Sequence, residues 1–223
     1  MQFDQFAEHY KQVLDETVAF SGDDSAYFAE YKARYLARRF TRAFSGRVLD
    51  FGCGVGLLSE SLKQHMPAIQ LDGFDPSQDS LSHISPTLTA QGRFTCDPDQ
   101  LGPNYDLIVM ANVMHHIPPK QRQATISQLA ERLNRKGTLA VFEHNPANPA
   151  TRWVVEHCPF DHDAILLRLR EMLTYLAGAQ LHTVARDYIV FMPRSLAWLR
   201  RVEPALAWLP LGAQYVVLGE KHA

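Results

Sequence analysis

Val48-Leu49-Asp50-Phe51 runs directly into Gly52-Cys53-Gly54-Val55-Gly56, and Asp75 closes a second apolar stretch twenty-one residues after Gly54. A strand that ends in such a turn and reopens as a helix restricts the chain to α/β architectures. Glycine leaves no Cβ between backbone and ligand, and the first turn of the following helix carries N–H groups without intrahelical partners. An acid at the end of the next strand can accept hydrogen bonds from both hydroxyls of a ribose. Together these features point to an adenosine cofactor. The spacing is G-x-G-x-G, whereas dinucleotide folds use G-x-G-x-x-G with a small third residue, a position held here by Leu57. Nicotinamide is therefore disfavoured.

The pattern around this turn alternates. Apolar runs predict strands near 47–51, 69–74, 92–96, 105–111 and 138–143, with helices over 56–65, 77–83 and 119–133 between them. Such alternation predicts a parallel sheet with helices on both faces. Pro119 suits the first turn of its helix, and Lys136-Gly137 marks the entry to the fifth strand. Two helices, 4–20 and 25–44, precede the sheet, separated by Ser21-Gly22-Asp23-Asp24 and with Ser25 as the expected cap of the second. After Asn145, Pro146, Asn148 and Pro149 the pattern predicts helix 162–178, strand 181–191, helix 194–208 and strand 213–219.

With these segments in order, the chain resembles the class I S-adenosylmethionine-dependent methyltransferases, in particular the small bacterial type that acts on small molecules. The resemblance spans residues 47–143. Leu71-Asp72-Gly73-Phe74-Asp75-Pro76-Ser77 looks like the family's ribose-binding strand end, and Thr95-Cys96-Asp97 like its adenine-contacting turn. Tyr105 to Ile117 looks like the fourth strand and its loop, and Leu133 to Leu139 like the approach to the fifth. The resemblance implies a Rossmann-like seven-stranded, mostly parallel sheet whose last strand, through Tyr215-Val216-Val217-Leu218, runs antiparallel between the fifth and sixth. It implies one methyltransferase domain over 1–223: an N-terminal helical cap (1–45), a cofactor-binding core (46–145) and an acceptor-side and C-terminal sheet segment (146–223). S-adenosylmethionine is the implied cofactor and S-adenosylhomocysteine the product. Carried over by position, Gly52, Cys53 and Gly54 meet the methionine moiety and Asp50 lies near its ammonium. Asp75 with Pro76 holds the ribose, Cys96 and Asp97 meet adenine, and Ala111 and Asn112 flank the sulfonium. The bland alternatives are a loop-stabilising carboxylate for Asp50 and a helix cap for Asp75.

Composition narrows the partners. The chain has 223 residues, a formal net charge of −2 and a pI of about 6.5, so its overall field offers no general attraction to nucleic acid. Cys53, Cys96 and Cys158 are odd in number and scattered, which suits reduced thiols and a cytoplasmic location. The N-terminal residues lack signal-peptide character, and no stretch reaches the roughly 18 apolar residues of a membrane span. The apolar segment 196–211 carries charges and two prolines. Its expected role is core or homodimer packing, with a grip on a lipid-like substrate as the alternative.

The acceptor-side candidates follow the fourth and fifth strands. His115 and His116, and after them His144, are candidate bases because neutral imidazole accepts protons near pH 7; the competing reading of His115-His116 is architecture. Glu143 and Asn145 are candidate substrate contacts, against a plain turn ahead of Pro146. On the N-terminal helices, Tyr10, Tyr27, Tyr31 or Lys32 can close over the cofactor or meet an anionic acceptor, whereas the alternative for this basic run is a solvated helix face. His157, Cys158, Asp161 and His162 contain ligand-type side chains, but their spacing disfavours a structural metal, Asp161 reads as a helix cap, and none is expected. The implied function is methyl transfer to oxygen or nitrogen of a small molecule. The alternative is a catalytically silent cofactor-binding subunit with a regulatory or scaffolding role.

Overall fold

The computed structural model describes residues 15–41 and 43–222. Most of the expected helix 4–20, with Tyr10, lies outside them. Seven strands form one sheet in the order β3-β2-β1-β4-β5-β7-β6. They are β1 (Arg47–Phe51), β2 (Gln70–Phe74), β3 (Phe94–Thr95), β4 (Tyr105–Ala111), β5 (Leu133–His144), β6 (Leu181–Ile189) and β7 (Gln214–Lys221). The first five pair in parallel, and β7 runs antiparallel to both β5 and β6. This is the parallel sheet expected from the alternating pattern, completed by the antiparallel last strand that the family resemblance implies.

Burial on both faces explains why β4 and β5 read as near-continuous apolar runs. Leu107, Val109, Ala140 and Phe142 belong to one core cluster, whereas Ile108, Met110, Leu139 and Val141 belong to the other. Helix α1 (Ser25–Phe40) and α2 (Leu57–His65) cover the first face through Ala33, Leu36, Leu58 and Leu62. The opposite face is covered by α5 (Pro119–Arg132) and α7 (Leu169–Gly178), through Ile126, Leu129, Met172 and Leu176. Two short helices, α3 (Gln78–Ser82) and α4 (Pro86–Thr89), lie between β2 and β3, and α6 (Pro149–His157) follows β5.

Several local expectations need correction. Asp24, not Ser25, caps α1, its carboxylate accepting the Tyr27 N–H at 2.8 Å. The helix forecast over 162–178 starts only at Leu169, and α6 occupies 149–157, capped by Asn148 through the Thr151 N–H. Pro149 stands at the first turn of α6, where proline starts a helix rather than breaks one. The 196–211 segment is not core. It belongs largely to a kinked 3-10 stretch, Arg194–Leu206, with Trp198 64% and Trp208 75% exposed. None of the helices is long and apolar enough to cross a membrane, among the described residues.

Candidate active site

The turn after β1 is built by its neighbours. Gly52 adopts φ +82°, and a Cβ there would lie 2.3 Å from Val113, so only glycine lets the loops after β1 and β4 meet. The amides of Gly52 and Cys53 donate to Phe74 O at 2.7 and 3.0 Å, and that of Gly54 to Asp75 Oδ2 at 2.8 Å. These three amides are therefore engaged with the end of β2. Gly54, at φ +53°, is different: a Cβ there would meet no atom within 4 Å. Gly54 lines a cavity of about 400 Å³, and its bare Cα gives a ligand close access to the backbone.

Asp75 accepts the Ser77 amide on its other oxygen at 3.0 Å, while Ser77 caps α3. Asp97 caps the turn at Pro98–Gln100, accepting from Asp99 N and Gln100 Nε2. Cys96 Sγ donates to Gln78 Oε1. Because β3 and β2 are neighbours, Asp75, Pro76, Cys96 and Asp97 gather at one sheet edge, beside the cavity but outside its lining. Asp50, Gly52, Cys53, Gly54, Ala111 and Asn112 all line it. Asp50 is buried, accepts the Ser59 hydroxyl at 2.7 Å, and is pushed up to about 7 by burial, with Asp75 adding and Ser59 opposing.

The far end of the cavity is walled by imidazoles. His115 and His116 sit in a 3-10 turn after β4, and His144 ends β5. Glu143 organises them from beneath. Its Oε1 accepts the amides of Val113 and Met114 at 3.0 and 2.7 Å, and its Oε2 accepts His115 Nδ1–H at 2.7 Å. His115 Nε2 and His116 Nε2 both face Asp161 Oδ1, at 3.3 and 3.4 Å. Asn112 Nδ2 donates to His144 Nε2 at 2.9 Å.

Burial works against charge on His115, but Glu143 and Asp161 outweigh it and raise the ring to about 9. The same exchange holds Glu143 below the usual carboxylate range and Asp161 at about 2, although burial opposes both. Burial and then the His115 charge push His116 and His144 down to about 4. At neutral pH the cluster is thus one imidazolium between two carboxylates, flanked by two neutral rings. His115 cannot act as a base, whereas neutral His116 can accept, and neutral His144 already accepts from Asn112 Nδ2.

His115, His144 and Asp161 bring three ligand-type atoms within 4.8 Å of one another. Hydrogen bonding already accounts for this convergence: both His115 nitrogens face carboxylates, and His144 Nε2 faces Asn112. The 157–162 run does not gather. His162 is exposed beside Asp163, and His157 bonds Trp153 O. Asp161 caps no helix, because the chain passes it as a 3-10 turn and its carboxylate is drawn to the imidazoles.

Three expected substrate contacts are corrected by their own hydrogen bonds. Tyr31 OH is committed to Glu203 Oε2 at 2.8 Å and does not line the cavity. Glu143 is wholly buried beneath the imidazoles. Asn145 donates to Pro210 O and Gly212 O and accepts Ala147 N–H, clamping the β5 exit to the turn before β7. The adjacent residue Lys32 lines the cavity instead of Tyr31. Sequence reasoning also missed the wall at 190–193 and Gln214. Glu203 fixes that wall to α1 by accepting the amides of Phe191 and Met192 besides the Tyr31 hydroxyl. Arg122, fully buried, holds the histidine turn through Ile117 O and Ile165 O.

Comparison with known proteins bears on the family and the fold. A family model described as "Methyltransferase domain" matches residues 27–199. A ribosomal RNA small subunit methyltransferase C from Vibrio vulnificus is 31% identical over 111 residues, covering 46% of this chain and 33% of that protein. The chain spans a third of the length of that curated relative. An O-methyltransferase family protein from Burkholderia thailandensis superposes with TM-score 0.67 at 12% identity, covering 93% of this chain and 60% of the other. A magnesium protoporphyrin IX methyltransferase from Synechocystis PCC 6803, solved with bound SAH, superposes with TM-score 0.64 at 17% identity, covering 92% and 86%. These two likenesses concern the fold, whereas the family model covers most of the chain, which belongs to the methyltransferase-domain family.

Proposed function

For this S-adenosylmethionine-dependent methyltransferase, we propose that the acceptor is a small molecule, methylated on oxygen or nitrogen. One observation carries the reading: the glycine turn and the imidazole cluster line a single cavity of about 400 Å³, a volume suited to a small ligand. Phe28, Val55, Leu58, Val154 and Met192 give it an apolar wall, beside the polar groups of Lys32, Asp50, Asn112 and the imidazole cluster. An open acceptor end also argues against a silent scaffolding role.

The residues fit the cofactor. Gly54 leaves room for close approach, and Asn112 Oδ1 is buried at the lining without a partner, so it can accept a donor from a ligand. Asp50 would face the ammonium end and Asp75 the ribose. When bound, S-adenosylmethionine supplies an electrophilic methyl on a sulfonium, so the protein's work is chiefly to align an acceptor lone pair and exclude water. Neutral His116 accepts a hydrogen bond or proton from the acceptor, His144 keeps its acceptor nitrogen on Asn112 Nδ2, and charged His115 keeps Asp161 ionised beside them.

The test is transfer of labelled methyl from S-adenosylmethionine to a panel of small phenols, carboxylates and amines, with ribosomal RNA in parallel. Turnover of a small molecule, reduced at least tenfold by His116→Ala or His144→Ala, supports the reading. Turnover of RNA alone overturns it.

A further inference from the structure

Lys32 has an anomalous place in the cavity wall. Ser25, Phe28, Ala29 and Lys32 recur at helical spacing and turn one face of α1 toward the cavity. Lys32 is only 6% exposed, yet among the described residues no hydrogen bond or ion pair engages its ammonium. A cation taken out of water without a partner is strongly unfavourable. No neighbouring carboxylate is hydrogen-bonded or ion-paired to it among the described residues, although the Glu143 charge favours the cation from a distance. Glu143, whose charge acts on Lys32, has both oxygens committed to the amides of Val113 and Met114 and to His115. Asp161 Oδ1 faces His115 and His116, and Asp50 Oδ2 holds Ser59.

Two further buried polar atoms at the lining lack partners, Ser25 Oγ and Gln214 Oε1. Small side chains at Ser25 and Ala29 leave space along α1, so a ligand can reach Lys32 without displacing a large residue. Lys32 interacts with Glu143 and His144, at the end of β5. In the order β1-β4-β5, that end lies about 10 Å across the sheet from the glycine turn, on the side away from Asp75.

We propose that Lys32 anchors an anionic group of the methyl acceptor, a carboxylate or phosphate, and so selects acidic small molecules. The proposal rests on the small-molecule reading of the cavity. Burial pushes Lys32 down to about 8, with Glu143 opposing, so the side chain is still mostly charged at pH 7. An anion seated there supplies the partner that the fold withholds, and its attached skeleton extends along the apolar wall toward His116 and His144.

The test uses protein saturated with S-adenosylhomocysteine, titrated calorimetrically with benzoate, its neutral isostere benzamide, and inorganic phosphate. Wild type is compared with Lys32→Met and Lys32→Arg, each checked for folding by its thermal midpoint. The expected result is binding of benzoate or phosphate but not benzamide, weakened at least tenfold in Lys32→Met and largely kept in Lys32→Arg, with S-adenosylhomocysteine affinity changed less than threefold. Equal binding of benzoate and benzamide would overturn the proposal. So would a tenfold loss of S-adenosylhomocysteine affinity in Lys32→Met, which would assign the lysine to the cofactor's own carboxylate. No S-adenosylhomocysteine binding by folded wild type would instead remove the reading on which the proposal rests.

Discussion

His115 Nδ1 donates to Glu143 Oε2 at 2.7 Å, and both side chains are almost completely buried. The pair joins the turn after β4 to the end of β5. It also fixes which imidazoles are charged: His115 holds its proton, and that charge helps to keep His116 and His144 neutral.

Removing one partner of this pair leaves a buried charge uncompensated. Glu143→Gln is expected to cost about 3–5 kcal/mol of stability and to lower the pKa of His115. Urea denaturation at pH 7, with a histidine titration alongside, checks both. Unchanged values would mean that the pair does not govern the site.

Stability should fall as acid is added, for a reason specific to His116 and His144. In the unfolded chain they take up protons near 6.5, but in the folded protein only near 4. Between these values the unfolded state binds more protons, so stability declines as pH falls, by at most about 1.4 kcal/mol per pH unit for each ring. His115 has the opposite sign: its contribution is complete below about 6.5 and is lost as pH rises through about 9. Denaturation midpoints at pH 5, 7 and 9 should therefore peak near neutrality, and His116→Asn should flatten the acid limb.

Asp75→Ala removes the acceptor for the Gly54 and Ser77 amides and, with it, the ribose contact proposed for this carboxylate. A loss of about 1.5–3 kcal/mol in S-adenosylhomocysteine binding is expected, measurable by calorimetry. A variant that binds like wild type would limit Asp75 to the capping role.

Asp50 is raised to about 7, chiefly by burial. Only its ionised form attracts an ammonium group, so S-adenosylhomocysteine affinity should rise between pH 6 and 8. Asp50→Asn should abolish that rise. A pH dependence retained in the variant would place its origin elsewhere.

Much of this was legible because the glycine turn and the alternation of apolar runs are local signals. Gly52, Gly54, Asp75 and the strands from β1 to β5 could be read directly. The site's wiring could not be read, because its partners are distant in sequence. Asp161 meets His115 across 46 residues, and Tyr31 meets Glu203 across 172. Asp161 therefore read as a cap and Tyr31 as a ligand contact. Glu143 shows the same difficulty from the other side: a carboxylate at a strand end reads as a substrate contact until its hydrogen bonds show it supporting the rings above.

The most direct test is a nitrogen-15 spectrum of histidine-labelled protein, titrated with S-adenosylhomocysteine at pH 7. The expected result is a cationic His115, neutral His116 and His144, and ligand-dependent shifts at His116 and His144 while His222 on the opposite strand ends stays unmoved. Saturation with no shift at either ring would contradict a shared cavity for cofactor and imidazoles, and a neutral His115 would contradict the charge pattern on which the site is built.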